Sequence, residues 1–475
     1  MTERPPITRA SPALVRTGDA LTLALLMLAG SVAISGGFRV WVGGWRVSVT
    51  SPERLLLAAL LLTSLRHWFV RRPALPERLV AAARHAHGSE AVRAVWPVAI
   101  GSRAAVATVG LLAVFLVGYS QGAPPFRVSK NELINLPARW DAGWYLTIAQ
   151  VGYRWDRRSR GQQNIAFFPA YPMLMRVGGR LLGGSTGQVV LAGVLISYAA
   201  FFGGLLYLFK LARGHPALAS SDRARAAVLL LGSYPFAVFY GTLYTEGLFL
   251  CATVGAFWHM RQQQLWRVAA WGIVAGLTRP NGLFLCLPLA LMALTDAWRV
   301  EADTASRIRQ ALRTLLAAAA PGLGVLVYSL FLYQLTGNPF EWAAIQVRWG
   351  RTSGVAWRSL GGPFGYVAQH GFHEYLRAET PNFLNLTAAA FAAVLIWPVT
   401  RRLGVAYGAL VAINLGLPLA LGGAISMGRF TATMFPLFLW LGAAIPERRL
   451  GMWVLVFALG QGLMAVLFYT WRAPY

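Results

Sequence analysis

The stretch VVLAGVLISYAAFFGGLLYLFKL, residues 189–211, carries one charge, Lys210. As a helix rising about 1.5 Å per residue it reaches across a hydrocarbon core of about 30 Å. In lipid a chain must satisfy its own backbone hydrogen bonds, so a run of this kind predicts a membrane-spanning helix. Outward from it, residues 21–34, 104–119, 315–335, 383–399 and 452–468 repeat the pattern. Of the 475 residues, 56% are hydrophobic and only 13% charged, which excludes an ordinary soluble fold. The expectation is an all-α polytopic membrane protein.

The net charge of +26 is carried by arginines at the ends of apolar runs rather than in one basic domain, which argues against a nucleic-acid partner. Arg4, Arg9 and Arg16 precede the first run, and Arg66, Arg71, Arg72, Arg78, Arg84 and Arg93 follow the second. Arg223 and Arg225, residues 299–313, Arg401 and Arg402, and Arg448 and Arg449 mark later turns. Read by the positive-inside rule these turns are cytoplasmic, and threading spans between them gives about thirteen helices with the N-terminus inside and the C-terminus outside. The first run resembles a secretory signal but reads better as an uncleaved anchor. Cys251 and Cys286 both lie in apolar runs and read as packing residues rather than a disulfide or metal site.

No internal repeat and no soluble domain interrupts the chain, so residues 1–475 read as one membrane domain. An N-terminal helical hairpin (1–70) is followed by a basic cytoplasmic loop (71–103). Two long segments, 121–187 and 336–380, fall on the outer side. Loops of this length in a compact protein usually carry function, and their Trp, Tyr and Phe content fits short helices at the lipid headgroup level.

The first outer loop reads R-W-D-A-G-W-Y-L-T-I-A-Q-V-G-Y over residues 139–153. Helical spacing places Trp144 with Ile148 and Tyr145 with Ala149, predicting a short helix with its aromatic side in lipid. Asp141 then stands at its start. Taken alone, such an Asp is an N-cap that accepts from the first-turn N–H groups. Flanked by Arg139 and Trp140, it is also suited to general-base chemistry, because an indole can stack on a sugar and a guanidinium can meet a phosphate or keep the carboxylate charged. Downstream, N-I-A-F-F-P-A-Y-P over residues 164–172 offers Asn164 and Phe168 as part of a rigid wall beside it. Read blandly, it is an aromatic belt where the chain turns back into the bilayer.

These two motifs resemble the signature of the PIG-V type mannosyltransferase family. Y-T-E-G-L-F at 244–249, G-L-T-R-P-N-G at 276–282, and S-M-G-R-F followed by M-F-P-L-F within 426–438 resemble later motifs in the same order, and Gln346, Trp349 and Arg351 resemble a further stretch. The resemblance implies a GT-C type helical bundle and an inverting transfer of a sugar, mannose in the family, from a polyprenyl-phosphate donor to a glycolipid or glycan acceptor. It places the base at Asp141, in the first large outer loop. Relative to the eukaryotic pattern the chain has an extra helical pair before the loop-bearing span and more residues between Tyr153 and Asn164.

Glu246, Arg279 and Arg429 interrupt apolar sequence near the same outer face, where an ionisable residue is costly unless paired or facing a cavity. The plainer alternative for each arginine is a helix end that snorkels to water. After Arg279, Pro280, Asn281 and Gly282 break the helix, and broken membrane helices usually line cavities. Arg279, Arg429 and Arg139 are therefore candidates for the donor phosphate, with Glu246 orienting the sugar or pairing with an arginine. Asp156 reads as a surface partner in a basic segment, and His370, His373 and Glu374 lack the i, i+4 spacing of a helical zinc site, so no metal or cofactor is assigned. A flippase of lipid-linked sugars would place polar residues at mid-bilayer in repeated halves, which the sequence lacks. An oligosaccharide ligase would share the lipid-phosphate site. The expected location is a bacterial plasma membrane, with the site on the non-cytoplasmic side.

Overall fold

The computed structural model describes residues 12–35, 38–42, 45–69, 77, 88–299, 303–351 and 355–473. Most of the arginines of the expected 71–103 loop, and Arg4 and Arg9, lie outside them. The chain divides into two compact units, one formed by residues 1–93 with 175–192 and the other by 94–174 with 193–475.

In the first unit, helices Pro12–Ser35 and Pro52–Phe69 pack on each other. A buried ion pair, Arg66 Nε to Asp19 Oδ1 at 3.0 Å, joins them. Between them lie two antiparallel strands, Phe38–Val42 and Trp45–Val49, in register Val40 to Val47. The alternating F-R-V-W-V and W-R-V-S-V favour strands over a simple turn.

In the second unit nearly every element is helical. Among the described residues of the whole chain, six helices are long and apolar enough to cross a membrane: Glu90–Leu116, Thr186–Arg213, Thr304–Thr336, Thr380–Leu403, Val405–Gly422 and Glu447–Tyr469. A seventh appears if Ser221–Ser233 and Pro235–Gly241, bent by 80°, form one broken span. The remainder of the thirteen expected spans would have to come from shorter helices such as Leu265–Thr278 and Phe435–Ala444. Proline and polar breaks cut those segments short. Residues 90–103, expected in the cytoplasmic loop, instead belong to the helix Glu90–Leu116, because the intervening apolar positions carry the helix through Arg93 and Arg103. Arg103 is accommodated by donating to the carbonyls of Ala237 and Gly232.

Both expected outer segments contain short helices. The first holds Glu132–Asn135, Ala142–Val151, Asn164–Ala166 and Ala170–Leu181, and the second Glu341–Ala344, Ile345–Trp349, Val355–His370 and Phe372–Ala378.

One helix crossing fixes much of the unit. Leu265–Thr278 meets Ala320–Thr336 backbone to backbone: a Cβ on Gly276 would run into the Pro321 carbonyl oxygen and lie 3.1 Å from Gly324 Cα. Small residues permit this approach, which gives packing contacts that lipid cannot replace. Gly276→Val is therefore expected to force the helices apart and lower the thermal unfolding midpoint of the detergent-solubilised protein. Gly416→Val, where no atom stands within 4 Å of an added Cβ, is the matched control and should leave it near the wild-type value.

Candidate functional site

The site is assembled from four places in the chain, each positioned by a local break in regular structure. Asp141 immediately precedes the helix Ala142–Val151, and the residue before it, Trp140, has φ 53°, the left-handed region that bulky side chains avoid. Trp140 is held there by its Nε1–H donating to Phe468 O at 3.0 Å and by packing on Trp471. Asp141 N donates to Tyr244 Oη at 3.1 Å, and Tyr244 Oη donates in turn to Arg139 O at 3.3 Å. The tyrosine of Y-T-E-G-L-F thus clamps the backbone on both sides of Trp140.

Glu246 opens the helix Glu246–Arg261 and is fully buried. A helix N-terminus is a favourable place for a negative charge. Arg279 caps the end of Leu265–Thr278 in extended conformation, and Pro280 then starts the turn Pro280–Leu285, so the helix breaks where the sequence predicts. Arg429 lies in the short helix Met427–Thr433, entered through Ser426 at φ 62°. Both halves of the central ion pair thus follow a non-glycine residue in left-handed conformation, a cost of about 1–3 kcal/mol each that the surrounding packing must offset.

These side chains form a chain of alternating charge. Arg429 Nη1 donates to Asp141 Oδ2 at 2.7 Å, and Arg429 Nε donates to Glu246 Oε1 at 2.7 Å. Arg279 Nη1 donates to the same Oε1 at 3.1 Å. Arg429 is 5% exposed and directed inward, which rules out the snorkelling alternative. Its guanidinium also lies 4.6 Å from the Tyr244 ring centre, and that of Arg279 lies 5.1 Å from the Phe430 ring. The Asp141 side chain makes no cap hydrogen bond, so it is not the N-cap acceptor that the bland reading would have it be.

Asp141, Arg279 and Arg429 open onto a cavity of about 240 Å³, which Phe168, Asn281 and Arg351 also line. Arg351, from the segment expected as the second outer loop, is close enough to Arg429 and Arg279, and to Asp141 in the opposite sense, to feel their charge, and forms no salt bridge among the described residues. Burial, reinforced by those two cations, pushes its guanidinium down to about 10, still charged at neutral pH. Counting Asp141 and Glu246 against Arg279, Arg351 and Arg429 leaves one uncompensated positive charge. A second, mainly apolar cavity of about 530 Å³ shares Pro280, Asn281, Gln346, Arg351 and Phe430 with the first and continues past Phe284, Trp342 and Leu421.

The other sequence candidates fall elsewhere. Arg139, 1% exposed, is turned away from Asp141: it donates to Asn135 O at 2.6 Å and Tyr469 O at 3.1 Å and lies 3.6 Å from Glu132. The charge expected from Arg139 is supplied by Arg429 instead. Asn164 closes the loop, donating from Nδ2 to Gly152 O and accepting from Arg154 N at Oδ1. The aromatic side of Ala142–Val151 faces protein rather than lipid, for Tyr145 is 5% exposed against Phe167, Tyr171 and Tyr244, and Trp144 stacks on Phe167. Asp156 accepts from Arg158 N within its own turn. Among the described residues no three His, Cys, Asp or Glu side chains gather as a metal would need. Arg351 and Tyr244 were not among the expected site residues, although both lie in or near the motifs that carried the resemblance.

The family model described as Mannosyltransferase (PIG-V) matches residues 116–400, more than half the chain and including Asp141, Glu246, Arg279 and Arg351. Among curated proteins, the GPI alpha-1,6-mannosyltransferase 2 of Homo sapiens and that of Rattus norvegicus are each 29% identical over 150 residues, 31% of this chain. The match spans less than a third of those relatives, 29% of their length. Among solved structures, the oligosaccharyltransferase of Archaeoglobus fulgidus tethered with an acceptor peptide aligns at 12% identity and a TM-score of 0.37, over 79% of this chain and 55% of that one. With the helical membrane architecture and the ordered motifs, the family match establishes that this chain is an integral membrane member of the PIG-V mannosyltransferase family.

Proposed function

We propose that the chain transfers one hexose, mannose by family, from a polyprenyl-phosphate donor to a glycolipid or glycan acceptor, with inversion and with Asp141 as the base. The observation that carries this reading is Arg351, a third arginine beside two carboxylates and in no salt bridge among the described residues, lining both a polar cavity that holds Asp141 and an adjoining apolar one. One uncompensated cation suits the single negative charge of a sugar phosphodiester, whereas a nucleotide diphosphate brings at least two. An isoprenoid tail needs apolar surface, which the larger cavity supplies, and a cavity of about 240 Å³ suits one sugar ring better than an oligosaccharide.

In the proposed reaction the acceptor hydroxyl gives its proton to Asp141 as its oxygen attacks the anomeric carbon. The bond from that carbon to the phosphate oxygen breaks, and the polyprenyl phosphate departs with the electron pair. Asp141 Oδ2 is occupied by Arg429, so Oδ1 is the oxygen that takes the proton. Negative charge grows on the leaving phosphate, where Arg351 and Arg279 stabilise it. The proposed reaction takes place on the non-cytoplasmic face of a bacterial plasma membrane, a reading that the arginine distribution and a lipid-linked donor support.

Arg351→Met tests the donor assignment. Its KM for polyprenyl-phosphate mannose should rise tenfold or more, on the order of 1.4 kcal/mol of lost binding. An unchanged KM would remove Arg351 from the donor site.

A further inference from the structure

Two residues that line the Asp141 cavity each carry a polar atom without a partner. The indole Nε1 of Trp349 and the amide Oδ1 of Asn281 are both buried and make no hydrogen bond, while their side chains line the same cavity as Asp141. Buried polar atoms are nearly always bonded, so two orphans on residues that line one cavity call for an explanation.

Their chemistry is fixed by their neighbours. An indole N–H only donates. Asn414 commits its Nδ2 to Leu410 O at 3.0 Å within its own helix, which leaves Oδ1 as the acceptor it offers to Asn281. Asn281 must then present Nδ2 to Asn414, at 2.9 Å, and its free atom is the oxygen. One orphan is an obligatory donor and the other an obligatory acceptor. A hydroxyl, which gives one proton and takes another, answers both.

Both groups are also held rigidly. The Trp349 ring meets Trp144 edge-on at 5.5 Å and Phe167 at 5.2 Å. Asn281 sits between Pro280 and Gly282, in a turn packed so closely on the helix before it that a Cβ on the glycine would strike the Ala275 carbonyl. Rigid polar groups recognise a ligand without an added ordering cost.

We propose that Trp349 Nε1 and Asn281 Oδ1 form a donor–acceptor pair that reads a hydroxyl of the hexose being transferred and so sets the enzyme's choice of sugar. This rests on the lipid-linked hexose reading above and adds the residues that distinguish one hexose from another. A site that hydrogen-bonds a hydroxyl rejects the analogue lacking it, because its own buried groups are then left unpaired.

The experiment compares kcat/KM of the full-length protein for polyprenyl-phosphate mannose and its 2-, 3-, 4- and 6-deoxy analogues, in wild type, Trp349→Phe, Asn281→Ala and the double variant. The wild type should lose about 100-fold or more on one deoxy donor. Each single variant should lose about 10-fold or more on the parent donor and narrow the gap to that deoxy analogue by a similar factor, while the double variant should treat the two alike, within about threefold. Trp349→Phe keeps the ring packing, so it guards against a folding defect in Asn281→Ala. If the variants slow every donor equally with discrimination intact, or the wild type discriminates against no deoxy donor, the hydroxyl pair is wrong while the lipid-donor reading stands. If the wild type transfers no lipid-linked hexose, both fall.

Discussion

Asp141→Asn should lower hexose transfer by about a hundredfold or more while leaving the KM for the lipid-linked donor nearly unchanged. The amide keeps the shape of the carboxylate but cannot take a proton from the acceptor hydroxyl. The donor's anion is assigned to Arg351 and Arg279, neither of which bonds to Asp141, so donor binding survives the change. Steady-state kinetics with polyprenyl-phosphate mannose as the varied substrate separate the two effects. A variant with near-normal turnover would reduce Asp141 to a structural partner of Arg429.

Glu246→Gln is expected to have the largest effect on folding. Its Oε1 receives both Arg429 Nε and Arg279 Nη1, and the carboxylate is fully buried, so no water can replace it. Neutralising it leaves three arginines facing Asp141 alone among the charges assembled there. Breaking a buried ion network on one side costs about 3–5 kcal/mol, because the remaining charge stays desolvated. The thermal unfolding midpoint should fall and transfer should be lost, since Arg429 would no longer be held against Asp141. Unfolding and turnover at wild-type values would show that the network is dispensable.

The membrane architecture was legible because apolar runs and arginine punctuation follow directly from the cost of burying backbone and charge in lipid. The break at Arg279 was legible for a similar local reason, the T-R-P-N-G stretch that no helix can absorb. What the sequence could not show was proximity. Arg139 stands two residues from Asp141, yet the left-handed turn at Trp140 sends it toward Tyr469 and Glu132, and the cation that meets Asp141 comes from 288 residues away. Arg351 escaped notice as a site residue because its significance lies in adding a third cation beside two carboxylates, a property of the assembled cavity. The span count was ambiguous because Leu265–Thr278 and Phe435–Ala444 are apolar enough for lipid but too short to cross it unaided.

In the proposed function Asp141 and its arginines work on a hexose carried by a polyprenyl phosphate. The direct test offers the purified protein, in liposomes with a panel of glycolipid acceptors, either polyprenyl-phosphate mannose or GDP-mannose, and measures labelled mannose in the acceptor. Transfer from the lipid-linked donor alone, abolished by Asp141→Asn, is the expected result; transfer from the nucleotide sugar alone would contradict the account.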